Sequence, residues 1–282
     1  MKRRLLVVLA LCLSTMLLIG LVGCGSSSGT KTEGQKATGA QDTGSKEAAK
    51  LVVGFDQNFP PFGYVGDNGE FTGFDIEMAT ECAKRMGREI VLQPIDWDAK
   101  DLELESGKID CIWNGFTING REDGYTWTEA YMDNSQVVVV RTDSGIKSLA
   151  DLKDKNVMVQ ADSSAQSVLD GDQADLAKTF AGGKYQTTAE YNTAMLELET
   201  GAVDAVAMDI FVAQFQLEGR SADFMILDEH LSTEQYGVGF LKGNTELRDE
   251  VQVTLKGMVA DGTFATISNK YFGTDVGTLK AN

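Results

Sequence analysis

The chain offers little of the equipment that covalent or metal-assisted catalysis needs. His230 is its only histidine, which removes Ser-His-Asp machinery and leaves a zinc hydrolase short of ligands. Of four cysteines, Cys12 lies in an apolar N-terminal run and Cys24 follows that run directly after a glycine. Cys82 falls on a helical stripe with Ala79, Ala83 and Met86, and Cys111 stands in an apolar strand. These two read as core thiols or, as the alternative, as a disulfide between Cys82 and Cys111 made where a helix meets a sheet in an oxidising compartment. What remains is charge pairing and hydrogen bonding. Arg121 can offer a planar fork of donors to a carboxylate, or else make a surface ion pair with Glu122 or Asp123. Ser163 and Ser164 open a helical segment, where backbone N–H groups lack partners inside the helix, and Ser163 can cap it. Asp209 stands at the mouth of an apolar strand, five residues beyond Asp204.

The elements that must position these residues repeat. LELESGKIDCI at 102–112 and LELETGAVDAV at 196–206 share six identities in eleven, and in each a helix ends at a glycine and turns straight into a buried strand. Each copy has an upstream partner: Leu51 to Phe55 is a strand running into loop 56–62, and Val157 to Val159 a strand running into loop 160–166. Asp75 to Met86 repeats apolar residues at helical spacing, Ile90 to Leu92 reads as a strand, and so does Ile109 to Trp113. Strands alternating with helices imply two α/β lobes with mostly parallel sheets. Ligands of such sheets bind beyond the carboxyl ends of the strands. Loops 56–62, 113–121, 160–166 and 207–210 therefore converge on one cleft between lobes, with Asp204, a member of the repeat itself, as a structural residue. The chain crosses between lobes twice, near 135–140 and 233–238, which makes the first lobe discontinuous: 51–136 plus 237–282, against 137–236 for the second.

The strings FDQNFPPFGYVGDNGEFTGFDIEMA, IDWDAKDLELESGKIDCIWNGFTINGRED, TWTEAYMDNSQVVVVRTDSGIKSLADLKDKNVMVQADSSA, AVDAVAMD, QYGVGF and DGTFATISNKYFG run from about 51 to 273. Together, and in this order, they resemble the polar amino acid binding proteins of ABC importers, the extracellular solute-binding proteins of family 3. The resemblance implies a periplasmic-binding-protein-like fold, two α/β lobes with a two-crossing hinge around a ligand cleft. It implies that Arg121 holds the ligand α-carboxylate together with the N–H groups of Thr117 and Ser164, and that Asp209 and the Gly115 carbonyl hold the α-ammonium. Phe59 and Trp97 are similar to the aromatic pair that sandwiches the ligand side chain, and Asp56, Phe62, Asn114 and Gln160 share in recognising that side chain. Neither Asp56 nor Gln160 gives an anionic side chain a counter-charge, so a neutral polar or cationic amino acid is expected. The path from Thr117 to Arg121 is one residue shorter than the family's, and Gly120 can absorb the difference through a positive φ.

Lys and Arg number 25 against 42 Asp and Glu, a formal charge of −17. Three of those cations and no acid lie in the first 23 residues, so a chain without them carries −20. Such a charge repels nucleic acid and anionic lipid surfaces. Hydrophobic residues at 43% with a mean hydropathy of −0.15 exclude a polytopic membrane protein and global disorder. Met1 to Arg4 and the apolar Leu5 to Val22 read as an export signal, 1–23. Leu21-Val22-Gly23-Cys24 resembles a lipobox, which implies a diacylglyceryl group on Cys24, and residues 24–50 read as a Gly/Ser-rich tether spanning about 25–30 Å. The expectation is an extracytoplasmic binding lipoprotein, anchored to the cell membrane only by lipid. Its partners are an amino acid and the permease and ATPase of an ABC importer; it needs no cofactor or metal and works as a monomer. A ligand-sensing subunit of a membrane receptor, and a secreted cyclic-acid dehydratase, are the competing functions. The second needs a general acid or base in the cleft.

Overall fold

The computed structural model describes residues 49–282. The expected signal, Cys12, Cys24 and nearly all of the tether lie outside the described residues. Strands Glu89–Pro94, Lys50–Phe55, Cys111–Ile112, Gly239–Leu241 and Tyr125–Trp127 lie side by side in that order in a five-stranded sheet. The first three are parallel and the last two join antiparallel. A second sheet orders Gln186–Thr188, Val157–Gln160, Ala205–Asp209, Met132–Arg141 and Phe224–Ile226, with Ser232–Tyr236 paired to the lower half of Met132–Arg141. Asn58–Phe59, Gly63–Val65 and Phe71–Thr72 form a small three-stranded sheet beside the first.

Local sequence explains the main elements. In Val137 to Val140 all four side chains are buried, Val137 and Val139 in one apolar cluster and Val138 and Val140 in the other, because helices cover both faces of this sheet. Helix Phe74–Arg85 buries Phe74, Met78, Ala79, Cys82 and Ala83, with Asp75 and Glu77 in its first turn and Lys84 and Arg85 in its last, an order that suits the helix dipole. Its start depends on Gly73, at φ 129°, where a Cβ would lie 2.2 Å from the Phe62 carbonyl oxygen. Cys82 and Cys111 are both free and buried in the same cluster. The expected alternative of a disulfide is not formed: Cys82 Sγ instead faces Met86 Sδ at 3.5 Å, one turn along its own helix.

The two repeat copies fold alike. Helix Lys100–Glu105 closes at Gly107 (φ 74°) before strand Cys111–Ile112, and helix Tyr191–Thr200 closes at Gly201 (φ 78°) before strand Ala205–Asp209. Asp110 Oδ2 accepts the Val52 N–H at 2.8 Å, and Asp204 Oδ2 accepts the Asn156 N–H at 2.8 Å. In both, the repeat aspartate anchors the neighbouring parallel strand, a structural task. The chain passes between sheets on two strands that run side by side, from the pair Ser232 and Gln136 to the pair Tyr236 and Met132. The expected division after residue 136 passes through this ladder.

Candidate ligand site

Each strand end delivers a site residue for a local reason. Val157–Gln160 ends at Gln160, and Ser163 caps the following helix, Ser164–Asp170, by accepting the Gln166 N–H at 3.1 Å. Ala205–Asp209 ends at Asp209, which is also the residue before helix Ile210–Gln216. Cys111–Ile112 runs into Trp113 to Thr117, a buried loop. Gly115 sits there at φ 56°, with the Phe59 and Tyr236 rings 3.1 and 3.2 Å from where a Cβ would be, so a larger residue would be strained in the backbone and would press on both rings. Beneath it, Asp75 Oδ2 accepts the Gly115 N–H at 2.5 Å and Asp75 also accepts the Tyr131 hydroxyl at 2.9 Å. Burial pushes the Asp75 carboxyl up to about 7 against the pull of those bonds. Gly120 carries φ 79° with open space around it, and Arg121 follows.

Phe59, Trp97, Asn114, Gly115, Thr117, Arg121, Gln160, Ser163, Ser164 and Asp209 line one pocket between the two sheets. Nine of the eleven residues expected at the site are thus brought together, and Ser163 joins them. Asp56 is one exception. It lies behind the pocket wall, buried, its Oδ1 accepting the Asn58 N–H at 2.8 Å and its Oδ2 the Gln160 amide at 2.7 Å. Burial raises its pKa, with the charges of Glu190 and Asp96 adding to the rise and both hydrogen bonds opposing it. Phe62 is also displaced from its expected role. Fully buried, it packs against Phe59, Phe74, Phe211, Tyr236 and Phe272, so it supports Phe59 from the core.

Arg121 makes no ion pair with Glu122 or Asp123. Its guanidinium donates to the Thr117 carbonyl at 3.4 Å and to the Asp162 carbonyl at 3.2 Å, and lies 5.4 Å from the centre of the Phe116 ring. It therefore spans from one lobe to the other. Three more contacts cross the same gap: Gln160 to Asp56, Asn58 to Glu190 at 2.9 Å, and the buried Lys100 ammonium to the Asp162 carboxylate. Burial lowers the Lys100 pKa, and Asp162 opposes the fall.

Behind the pocket stands a polar cluster that the sequence reading missed. Strand Met132–Arg141 lies between the strands that carry Asp209 and Glu234, with Gln136 opposite Asp209 on one side and Asn134 opposite Glu234 on the other. Asn134, Gln136 and Tyr236 donate to Asp209 Oδ1 at 2.8, 2.9 and 2.5 Å. Asn134, Gln136 and Thr117 donate to Glu234 Oε1 at 2.7, 2.8 and 2.8 Å, and Ser164 donates to Oε2. The available signal was alternation: Asn134 and Gln136 on one strand, Glu234 and Tyr236 on the other, two apart and buried, which puts polar side chains on one inward face. Burial first, then the Glu234 charge, pushes Asp209 up to about 7. Tyr191, which opens the second repeat helix, is buried with its ring 6.0 Å from that of Phe59 and its hydroxyl unpartnered. Asn114 is buried with both amide atoms unpartnered at the pocket wall.

His230 is exposed, outside the pocket. Among the described residues no cluster of His, Cys, Asp and Glu could hold a metal ion, and no helix is long and apolar enough to cross a membrane.

The chain is 32% identical over 234 residues to the L-cystine-binding protein TcyJ of Escherichia coli, covering 82% of this chain and 85% of that one. It is 32% identical over 259 residues to the L-cystine-binding protein TcyA of Bacillus subtilis, covering 91% and 93%. The solved structure of an ABC uptake transporter substrate binding protein from Streptococcus pneumoniae with bound histidine superposes with a TM-score of 0.79 at 33% identity, over 82% of this chain and 95% of that one. The family model of the bacterial extracellular solute-binding proteins, family 3, matches residues 51–274, and with the two-lobed fold and the pocket between the lobes this places the chain in that family.

Proposed function

We propose that the chain captures an L-α-amino acid between its lobes and delivers it to the permease and ATPase of an ABC importer. One observation carries this reading: the pocket between the lobes has both a guanidinium, Arg121, and a carboxylate, Asp209, in its walls, a matched pair for the two charges of a zwitterion. The unbonded backbone start of helix Ser164–Asp170 and the N–H of Thr117 complete the carboxylate cradle. Phe59 and Trp97 enclose the side chain, and Asn114, with a free donor and a free acceptor, reads its polar end. No Lys or Arg stands among the residues given to the side chain, which favours a neutral polar or cationic ligand. The ligands named for the relatives, L-cystine and histidine, come first for testing.

In this reading lobe one is 51–136 plus 237–282, lobe two is 137–236, and the lobes turn on the paired strands Met132–Arg141 and Ser232–Tyr236. The contacts from Arg121, Lys100, Asn58 and Gln160 across the gap then belong to the closed form. Residues 1–23 are the export signal, Cys24 carries the lipid, and 24–50 tether a monomeric binding domain to the membrane. It binds without chemical turnover. The test is a thermal-shift screen of the twenty amino acids with ornithine and cystine. A true ligand at a hundredfold excess over Kd adds about 2.7 kcal/mol to the folded state. Stabilisation by none of them overturns the proposal.

A further inference from the structure

Asp209 and Glu234 make a cluster with an unbalanced charge. Both carboxylates are 4% exposed, and every side chain that hydrogen-bonds them is neutral. They share two donors, since Asn134 Nδ2 and Gln136 Nε2 each lie within 3 Å of both Asp209 Oδ1 and Glu234 Oε1. Two oxygens that close to the same two nitrogens are near neighbours. The Tyr236 hydroxyl donates to Asp209 Oδ1, the charges of Asp209, Glu234 and Asp56 all act on the buried Tyr191 hydroxyl, and Arg121, the cation lining the same pocket, is engaged with two carbonyls. Among the described residues no Lys or Arg is paired with either acid. The cluster is also short of hydrogen-bond donors, because Asn134 Oδ1 and Gln136 Oε1 are buried without one.

We propose that Glu234 is a positioning residue of the ammonium site, one half of an acid pair with Asp209 that holds a single shared proton in the unoccupied pocket and exchanges it for the ligand's ammonium group. Resting on the amino-acid reading above, the exchange balances without making or breaking a covalent bond in the ligand. The empty pair carries one proton and one negative charge. The incoming ammonium brings one positive charge and three N–H donors, and the proton leaves to water, so the net charge of the cluster is unchanged. Two buried anions that share the same two donors repel, and one proton or one ammonium relieves that repulsion. The elevated pKa of Asp209, about 7, agrees. Below neutrality binding must therefore release a proton, and apparent affinity falls up to about tenfold for each pH unit of acidification. Burial by itself also raises Asp209, so the mark of a shared proton is that both effects shrink when Glu234 is replaced by glutamine.

Two measurements decide it. Carbon-13 NMR of the unliganded protein, labelled at the aspartate carboxyls, should show a resonance titrating near pH 7 that is missing in Asp209→Asn. In Glu234→Gln the same resonance should titrate at least about one unit lower, because the like charge is gone. Asp75 titrates in the same range and serves as the control, an unchanged Asp75 showing that Glu234→Gln is folded. Calorimetry at pH 6 with L-cystine and L-arginine, in phosphate and in imidazole buffer, should give about one proton released in the wild type and much less in Glu234→Gln. An Asp209 resonance that titrates identically in both proteins, or buffer-independent heats in the wild type, overturns the proposal. Absence of binding by any amino acid overturns the function instead, while the NMR titration still decides whether the pair shares a proton.

Discussion

The two copies of the repeat use one scaffold to deliver opposite charges. In each, a helix ends at a left-handed glycine, and an aspartate ties the strand to its parallel neighbour through a backbone N–H at 2.8 Å. The difference begins where each strand stops. Cys111–Ile112 stops after two residues and gives way to the buried loop Trp113 to Thr117, which leads to Arg121. Ala205–Asp209 runs on for five residues and carries its own acid to the pocket. The lesson is a division of labour. The repeat fixes where the chain emerges, and the residues just beyond it, which differ between the copies, choose the chemistry.

The comparison breaks most visibly at the charges themselves. In the proposed function Arg121→Ala and Asp209→Asn each strand a desolvated partner charge on the ligand, at about 2–5 kcal/mol, or roughly thirtyfold to several thousandfold in Kd. Calorimetry should also separate them: Arg121→Ala loses most of the preference for a free acid over its amide, and Asp209→Asn most of the preference for an amine over the des-amino analogue. Binding by Arg121→Ala within about threefold of wild type would remove that arginine from the site.

The shared scaffold should respond symmetrically. Asp110→Ala and Asp204→Ala each delete one carboxylate bond to a strand N–H and are expected to lower stability by about 1–3 kcal/mol in urea unfolding, with little change in the ligand affinity of the folded protein. A tenfold affinity loss in either would show that the repeat aspartate takes part in binding. A smaller cost, about 1 kcal/mol, attaches to Gly107→Ala and Gly201→Ala. Neither added Cβ meets an atom closer than 3.7 Å, so the strain is purely in the backbone and the two should agree.

The subtlest contrast is in pH dependence. Asp75 in lobe one and Asp209 in lobe two are both raised to about 7 in the folded chain, above their unfolded values. The stability each contributes is full below the unfolded pKa and is lost as pH rises through about 7. The unliganded protein should therefore melt higher near pH 5 than near pH 8 in a low-salt thermal scan, as far as these two groups are concerned. Ligand should flatten the part owed to Asp209, and Asp75→Asn the part owed to Asp75. A slope untouched by Asp75→Asn would mean that its carboxyl is ionised in the fold.

Much of the site could be read before folding because it sits on the repeat and its partner strands. Strand ends at Gln160 and Asp209 follow from apolar runs that stop, the Ser163 cap from a serine at a helix start, and Gly120 from the short path to Arg121. The misreadings share a cause. Asp56 and Phe62 lie in the expected loop, but their place outside the pocket depends on Gln160 reaching across the gap and on four aromatic neighbours drawn from other segments. Lys100 carries no signal in the sequence, because its burial depends on Asp162, 62 residues away, being placed beside it.

By itself the sequence determined the two α/β lobes, the twofold use of one helix-glycine-strand unit, and the loops in which a ligand is met, because these follow from local periodicity and from the rule that strands end at their ligands. Tertiary structure decided what stands behind those loops. Asn134, Gln136 and Glu234 look like ordinary polar strand residues, and only the register of three neighbouring strands sets them against Asp209. Register is a long-range property, fixed by which buried faces fit together, and no single stretch of sequence carries it.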